Sequence, residues 1–333
     1  MYNIYFNSGT SNTRIYLVKD FKVVDFLEKN VGSKDSSILG SNIVLLKGLK
    51  ELYDSILNNN NLSDNNINRV YASGMVTSPF GIKEVSHITV PVSIKRLYDT
   101  IYKYYEPDFF KRSIYLIRGV KTIGEDFVAN RYNISSINNM RGEEIETFGM
   151  LSMVKEDWKE DGVSVFLPGS HTHIVYIKHG SIKDILSTFS GELFYAVSTS
   201  TILATSIDSK TDKIDEEMLL MGFQALKEYG INRALYLVNT MKIFSKLDKV
   251  EKTSFLEGVI MGGVILAFEK ILEDKWMDIK GIAIVGNNKI ANIYRILMKK
   301  LNRYIPVNTF QQPEKESFAV KGFLELIRME ELN

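Results

Sequence analysis

Hydrophobic and polar positions in this chain fall into one pattern that occurs twice. Residues 166–194, FLPGSHTHIVYIKHGSIKDILSTFSGELF, read as an apolar strand, a turn of Gly and hydroxyl residues, a second apolar strand, a short polar turn and a third strand. A weaker copy of the first half stands at residues 6–26, FNSGTSNTRIYLVKDFKVVDF. When one is laid on the other, Gly9 falls on Gly169, Thr10 on Ser170, Tyr16 on Tyr176 and Leu17 on Ile177. The repeat predicts two related domains, each opening with a meander whose first turn is small and rich in hydrogen-bond donors.

The remaining pattern fills in the layers. Residues 31–42 read as a polar Gly/Ser loop, and helical spacing predicts a helix over 43–57. The Asn-rich stretch 58–68 lacks periodicity and reads as a surface loop. A strand is predicted over 69–76, a loop over 77–81, a short helix over 97–105 and a buried strand over 113–117. This alternation argues for α/β layers. Residues 121–139 are irregular, so the domains are expected at 1–134 and 135–333. An amphipathic helix follows over 143–154, with Ile145, Phe148, Leu151 and Val154 on one face. Residues 215–275 read as helical almost throughout, with the glycines of 258–263 suited to close helix packing. A strand at 281–285, a turn at 286–288 and helices at 290–301 and 318–329 complete the chain.

Composition narrows the function. At 333 residues the chain favours two domains, and 45% hydrophobic with 24% charged residues is ordinary for a globular protein. A net charge of +1 gives no general attraction to nucleic acid or to a membrane surface, so any anion is bound locally. The absence of cysteine excludes disulfides, thiolate metal sites and a cysteine nucleophile. No basic stretch followed by an apolar one opens the sequence, and the longest apolar run, 258–268, is too short for a bilayer. A cytoplasmic location is therefore expected, and a homodimer is the default assembly.

Four constellations bear chemistry. The turns at Gly9–Thr10 and Gly169–Ser170 can approach an anion closely and donate backbone and hydroxyl hydrogen bonds to it. Residues 140–144, MRGEE, put two carboxylates at a helix start, where they stay ionised and one can serve as a general base. The strand, Gly286-Asn287-Asn288 turn and helix form a unit that in α/β layers often meets a nucleotide. His171 and His173 share a strand face, but no carboxylate at zinc-like spacing joins them, and His171 reads as a hydrogen-bond donor. Neither a G-x-x-x-x-G-K-[ST] loop nor a G-x-S-x-G elbow occurs.

Together these segments resemble the 2-dehydro-3-deoxygalactonokinases of the sugar kinase, Hsp70 and actin superfamily. The family's D-W-G-T-[TS]-N-x-R is similar to residues 7–14, NSGTSNTR, and its G-M-x-G-S-x-x-G-W-x-E to residues 74–84, GMVTSPFGIKE. Its M-R-G-E-E-T-Q resembles residues 140–147, MRGEEIET; its L-P-G-T-H-S-K-W-V resembles residues 167–175, LPGSHTHIV; its T-G-E-L-F reappears at 190–194. The resemblance runs from about residue 1 to 205, with a fainter echo at 319–323. It implies a two-domain actin-like (ribonuclease H-like) α/β fold, with ATP and Mg²⁺ in a cleft between the domains. The implied reaction is transfer of the γ-phosphoryl group to the 6-hydroxyl of 2-dehydro-3-deoxygalactonate. Asn7, Gly9, Thr10, Ser11, Gly169, Ser170 and His171 are the implied phosphate contacts, with Gly286 and Asn287 near the adenosine. Glu143 is the first choice for the base and Glu144 the second, and Arg14, Glu84 and Arg141 are implied contacts of the sugar acid.

The departures cluster. Asn7 stands where the family motif has an aspartate that helps hold Mg²⁺, usually through water, and His173 replaces a lysine. Ser8 and Ile82 replace tryptophans. These changes also allow a second reading, a homologue that binds nucleotide or sugar acid without turnover.

Overall fold

A computed structural model describes every residue except 287, 288, 302, 313–315 and 333, and all side chains among these but that of 332. The chain divides into two units, one of residues 1–153, 180–185 and 313–333, the other of residues 154–179 and 186–312. The expected boundary at 134/135 falls inside the first unit.

In the first unit β1 (Tyr2–Ser8), β2 (Thr13–Lys19) and β3 (Lys22–Lys29) form an antiparallel meander. There follow α1 (Ser33–Leu39), α2 (Ile43–Asn59), β4 (Ile67–Gly74), β5 (Ile88–Thr89) and α3 (Ile94–Asp99). Next come β6 (Tyr102–Glu106), β7 (Arg112–Leu116), β8 (Val120–Lys121), β9 (Asn139–Met140) and α4 (Glu143–Leu151). The main sheet has the order β3-β2-β1-β4-β7-β6, with β4 parallel to both β1 and β7. Alternation sorts the strands: Ile4, Phe6, Ile15 and Leu17 join Leu45, Leu49, Leu52 and Ile56 of α2 in one core.

Two expectations fail here. The helix predicted over 97–105 ends at Asp99, and Tyr102–Glu106 is an edge strand antiparallel to β7. Its aromatic residues suit a strand, and the buried Glu106 carboxylate closes the hairpin by accepting the Phe109 and Phe110 N–H groups at 2.8 and 2.7 Å. The loop predicted over 31–42 contains α1, whose start is held by the Gly32 N–H donating to Asp35 Oδ2 at 2.9 Å. Residues 121–139 are irregular as expected, and β8 and β9 pair across their two ends.

The second unit comprises α5 (Glu156–Asp161), β10 (Val163–Leu167), β11 (Thr172–Lys178), β12 (Ser181–Thr188) in its later part, and α6 (Ser190–Ser200). It continues with α7 (Glu216–Phe244), α8 (Lys249–Asp274), β13 (Gly281–Val285), α9 (Lys289–Met298) and β14 (Val307–Phe310). Its sheet has the order β12-β11-β10-β13-β14, with β13 parallel to β10 and β14. With the edge strand β6 set aside, the first sheet's order β3-β2-β1-β4-β7 matches this one strand for strand, so the repeat seen in the turns is a repeat of topology. The long helical region resolves into α7, broken at Gly230, and α8. They cross at Gly222 and Gly258, where a Cβ would lie 2.0 Å from Phe255 O and Leu219 O respectively. Glycine is used there for close packing, as the sequence suggests.

The closing helix, α10 (Phe318–Arg328), returns to the first unit and packs on α4. Its Phe323 stacks flat on Tyr5, ring centroids 4.2 Å apart, on the sheet face opposite α2. This docking explains why α4 belongs with the first unit. Among the described residues no helix is long and apolar enough to cross a membrane.

Candidate active site

Strand register assembles the first wall of the site. Asn7 pairs with Arg14, and Arg14 with Glu28, so one row crosses the three strands of the meander. All three line a cavity of ≈ 240 Å³, together with Ser8, Gly9 and Asn12 of the first turn. The facing wall is Gly74 at the end of β4 and Arg141, Gly142, Glu143 and Glu146 at the start of α4. Two glycines let these walls meet. Gly74 has φ +85° and a Cβ there would lie 2.4 Å from Ser8 O; Gly142 has φ +114° and its Cβ would sit 3.2 Å from Gly74 Cα.

The helix start sorts its three glutamates by direction. Glu143 and Glu146 are three residues apart and share a face, which is the cavity face. Glu143 Oε2 accepts the Arg141 N–H at 3.0 Å. Burial, then the Glu143 charge, push the Glu146 carboxyl up to about 7, with Arg14 opposing. Glu144 is fully buried; its Oε2 accepts the Gly142 N–H at 2.8 Å and its Oε1 has no partner among the described residues. Burial, then the charge of Glu143, push it up to about 8, so contrary to the expectation that both glutamates stay ionised it is mostly protonated at neutral pH. Of the two glutamates expected as base, Glu143 faces the cavity and Glu144 faces the core.

The two arginines differ in the same way. Arg14 Nε donates to Glu28 Oε2 at 2.8 Å within the cavity wall. The Arg141 guanidinium instead donates to Thr77 O at 2.6 Å, to Thr77 Oγ1, to Val85 O at 3.1 Å and to His87 Nδ1 at 3.2 Å. It ties down the loop after β4. Burial, then the charges of Arg141 and Lys121, lower the His87 pKa to about 4, which keeps that ring neutral and able to accept. Glu84 is exposed on the same loop and does not line the cavity.

The first turn is closed at its base by Ser8 Oγ and Thr13 Oγ1 at 2.8 Å and by the Gly9 N–H donating to Asn12 O at 2.9 Å. Thr10 and Ser11 are exposed at its tip, and none of the described residues accepts from their backbone N–H groups. Gly32 presses against this turn: its Cβ would be 2.3 Å from Thr10 O. The second turn is built alike. Gly169, Ser170 and His171 are exposed, a Cβ on Gly191 would be 2.3 Å from Gly169 O, and the Glu192 N–H donates to Ser170 O at 2.8 Å. His171 and His173 lie with ring centroids 6.2 Å apart, and His173 Nδ1 is 3.0 Å from Ser187 Oγ. Gly286 follows β13 with φ +106°, its N–H donating to Phe310 O at 2.8 Å. Asn287 lies outside the described residues.

One cavity thus brings together Asn7, Gly9, Arg14, Arg141 and Glu143, while Glu84 and Glu144 stand outside its lining and Gly169, Ser170, His171 and Gly286 belong to the second unit. Sequence reasoning missed Glu28 and Glu146. The three-residue spacing from Glu143 could have found Glu146; only the strand register reveals Glu28.

Two sheets of one order, each opened by a glycine-hydroxyl turn, with a glutamate-bearing helix start against the first turn, make up a carbohydrate kinase of actin-like fold. The chain matches the family described as 2-keto-3-deoxy-galactonokinase over residues 7–321, and it belongs to that family. Among solved structures it is similar to a proposed 2-dehydro-3-deoxygalactonokinase from Sinorhizobium meliloti, at 17% identity over 99% of each chain and a TM-score of 0.75. Glucokinase from Balamuthia mandrillaris gives 11% identity over 98% of this chain and 94% of that chain, with a TM-score of 0.47. The (R)-2-hydroxyglutaryl-CoA dehydratase component A of Acidaminococcus fermentans gives 12% over 97% and 95%, with a TM-score of 0.49. No curated protein matches significantly. The comparisons lend no support to a homologue without turnover.

Proposed function

We propose that the protein transfers the γ-phosphoryl group of ATP to the 6-hydroxyl of 2-dehydro-3-deoxygalactonate or a close relative. The observation that carries this reading is the pairing, in one small cavity, of a guanidinium on one wall with the Glu143 carboxylate on the other. At ≈ 240 Å³ the cavity is below the roughly 300–1,000 Å³ of drug-sized ligand sites and suits a six-carbon acid. Arg14 binds the substrate carboxylate, having donors left beyond the one given to Glu28. Glu143 takes the proton of the 6-hydroxyl as its oxygen bonds to the γ-phosphorus and the bond to the β-γ bridging oxygen breaks, releasing ADP. Glu144 stays protonated behind it, and Arg141 positions the loop that walls the site.

Each turn, taken within its own unit, suits a phosphate group. In the first, no described residue accepts from the backbone N–H groups of Thr10 and Ser11; in the second, Gly191 lets helix α6 approach the turn at Gly169–Ser170, and each offers fixed donors to phosphate oxygens. For Mg²⁺ the nearby donors are hard oxygens, the Asn7 amide and the Glu143 and Glu146 carboxylates. Among the described residues no group of three or more His, Cys, Asp or Glu could hold a metal. That set fits an ion held mainly by water and phosphates, with Asn7 and Glu146 receiving its waters. The ion, when bound, offsets the charge of the transferring phosphoryl group.

The test is a coupled ADP-release assay with MgATP and 2-dehydro-3-deoxygalactonate, the gluconate epimer and a blank without sugar. Sugar-dependent release that disappears in Glu143→Gln is the expected result. No release with either epimer would sink the substrate class.

A further inference from the structure

Away from the kinase cavity, the first unit carries a second pocket, of ≈ 350 Å³, with a basic and aromatic lining. Arg69, Lys103, Tyr71, Tyr98 and Tyr115 supply most of it. Asp99 also lines it, but its carboxylate lies 3.2 Å from Lys95 Nζ and is compensated there. The two pocket cations share one ring. Arg69 Cζ stands 5.1 Å from the centroid of Tyr115 and Lys103 Nζ 5.9 Å from the same centroid.

Two cations over one ring repel each other unless an anion joins them. Among the described residues the carboxylate paired with them is that of Glu330, whose Oε1 lies 2.8 Å from Arg69 Nη1, which also reaches Tyr71 Oη at 3.3 Å. Among the described residues Lys103 has no acidic partner. Glu330 sits on a four-residue 3₁₀ turn, Met329–Leu332, directly after α10, and its side chain remains 38% exposed. Its carboxylate is therefore a tethered, displaceable occupant of the Arg69 seat.

We propose that this pocket is a second anion site, taking the carboxylate or phosphate of a small molecule on Arg69 and Lys103, with Glu330 as its built-in competitor. The tyrosine faces give the rest of such a ligand an apolar and hydrogen-bonding wall, Tyr71 and Tyr115 standing 5.3 Å apart. Displacing Glu330 frees the end of α10, whose Phe323 packs against both Tyr71 and Tyr5. The pocket shares no lining residue with the cavity that holds Glu143.

The experiment is calorimetric titration of the full chain with inorganic phosphate and, separately, with acetate, in wild type, Glu330→Gln, Lys103→Gln and Arg69→Gln. A tethered competitor that holds the seat nine-tenths of the time weakens apparent affinity about tenfold, so Glu330→Gln should bind about tenfold tighter than wild type. Arg69→Gln should abolish this binding. Lys103→Gln, which leaves the Arg69–Glu330 pair intact, should weaken it several-fold and guards against a variant that fails to fold. The stronger of the two probes identifies the source chemistry, phosphoryl or carboxylate. The proposal is overturned if neither probe binds Glu330→Gln, or if binding is indifferent to Lys103→Gln in a folded protein.

Discussion

Gly149 of α4 and Gly322 of α10 meet backbone to backbone: a Cβ on Gly149 would lie 1.9 Å from Phe318 O, and one on Gly322 would lie 1.9 Å from Ile145 O. No side-chain movement relieves either clash, because the atoms struck are main-chain carbonyls. Gly149→Ala or Gly322→Ala should therefore force the helices apart and destabilise the protein by about 1–3 kcal/mol or more. Denaturant unfolding would read this as a lower midpoint. Because α4 carries Glu143, turnover should fall in the folded fraction too. An unchanged midpoint in both variants would refute the crossing.

The three glutamates of α4 should separate by kinetics. Glu143→Gln removes the proposed base and should lower kcat by roughly 10²–10⁴-fold with little change in the binding of the sugar acid. Glu144→Gln replaces a carboxyl already mostly protonated at neutral pH and should leave kcat within a few-fold of wild type. Equal losses in both variants would show that the base is not decided by which carboxylate faces the cavity.

Glu144 also predicts a pH dependence of stability. Its pKa is raised to about 8 in the folded chain, above the ordinary value of 4.5. Between those values the folded chain holds a proton that the unfolded chain has released, so stability falls as pH rises through this window. Glu144→Gln removes that slope. The variant should gain on wild type by an amount on the order of a few kcal/mol between pH 5 and pH 8, with no further change above. Parallel stability profiles for the two proteins would show that Glu144 is not held protonated.

Arg14 and Arg141 should answer differently to the same substitution. Arg14→Gln should raise KM for the sugar acid at least tenfold, by loss of a charge-assisted pair, while unfolding changes little. Arg141→Gln breaks the bonds to Thr77, Val85 and His87 and should cost about 1.5–3 kcal/mol of stability. It should also let the His87 pKa climb from about 4, since one of the charges holding it down is gone. An NMR titration of His87 gives that readout; an unmoved pKa would argue against the contact.

Much of this architecture was legible because it rests on local pattern. The meanders show in alternation, the turns in their glycines, and the glycines of α8 in their spacing. What escaped depends on partners distant in sequence. Residues 102–106 carry tyrosines that tolerate either state, and pairing with β7 decides for a strand. Glu28 enters the site only because Arg14 stands opposite it in register. Adjacent residues on a helix point about 100° apart, so Glu143 and Glu144 were never equal choices for one cavity. The charge of Glu146, three residues on, is the neighbour that geometry selects. Arg141 matched a motif, but its use in holding the 77–87 loop follows from the packing of that loop.

Asn7 offers the last test, because it stands in one cavity with the carboxylates of Glu28, Glu143 and Glu146 and carries no charge of its own. Asn7→Asp adds a fourth acid to the cavity that the proposed Mg²⁺ waters face. One more negative charge near a divalent ion strengthens its binding, so the Mg²⁺ concentration for half-maximal turnover should fall roughly tenfold. The same charge should push the Glu146 carboxyl above about 7, moving the acidic limb of the pH–rate profile upward. At high pH and low Mg²⁺ the variant should outpace the wild type, and at low pH and saturating Mg²⁺ it should gain nothing. Mg²⁺ dependence identical in the two proteins would place the ion away from position 7, and a limb that stayed in place would separate Glu146 from that position as well.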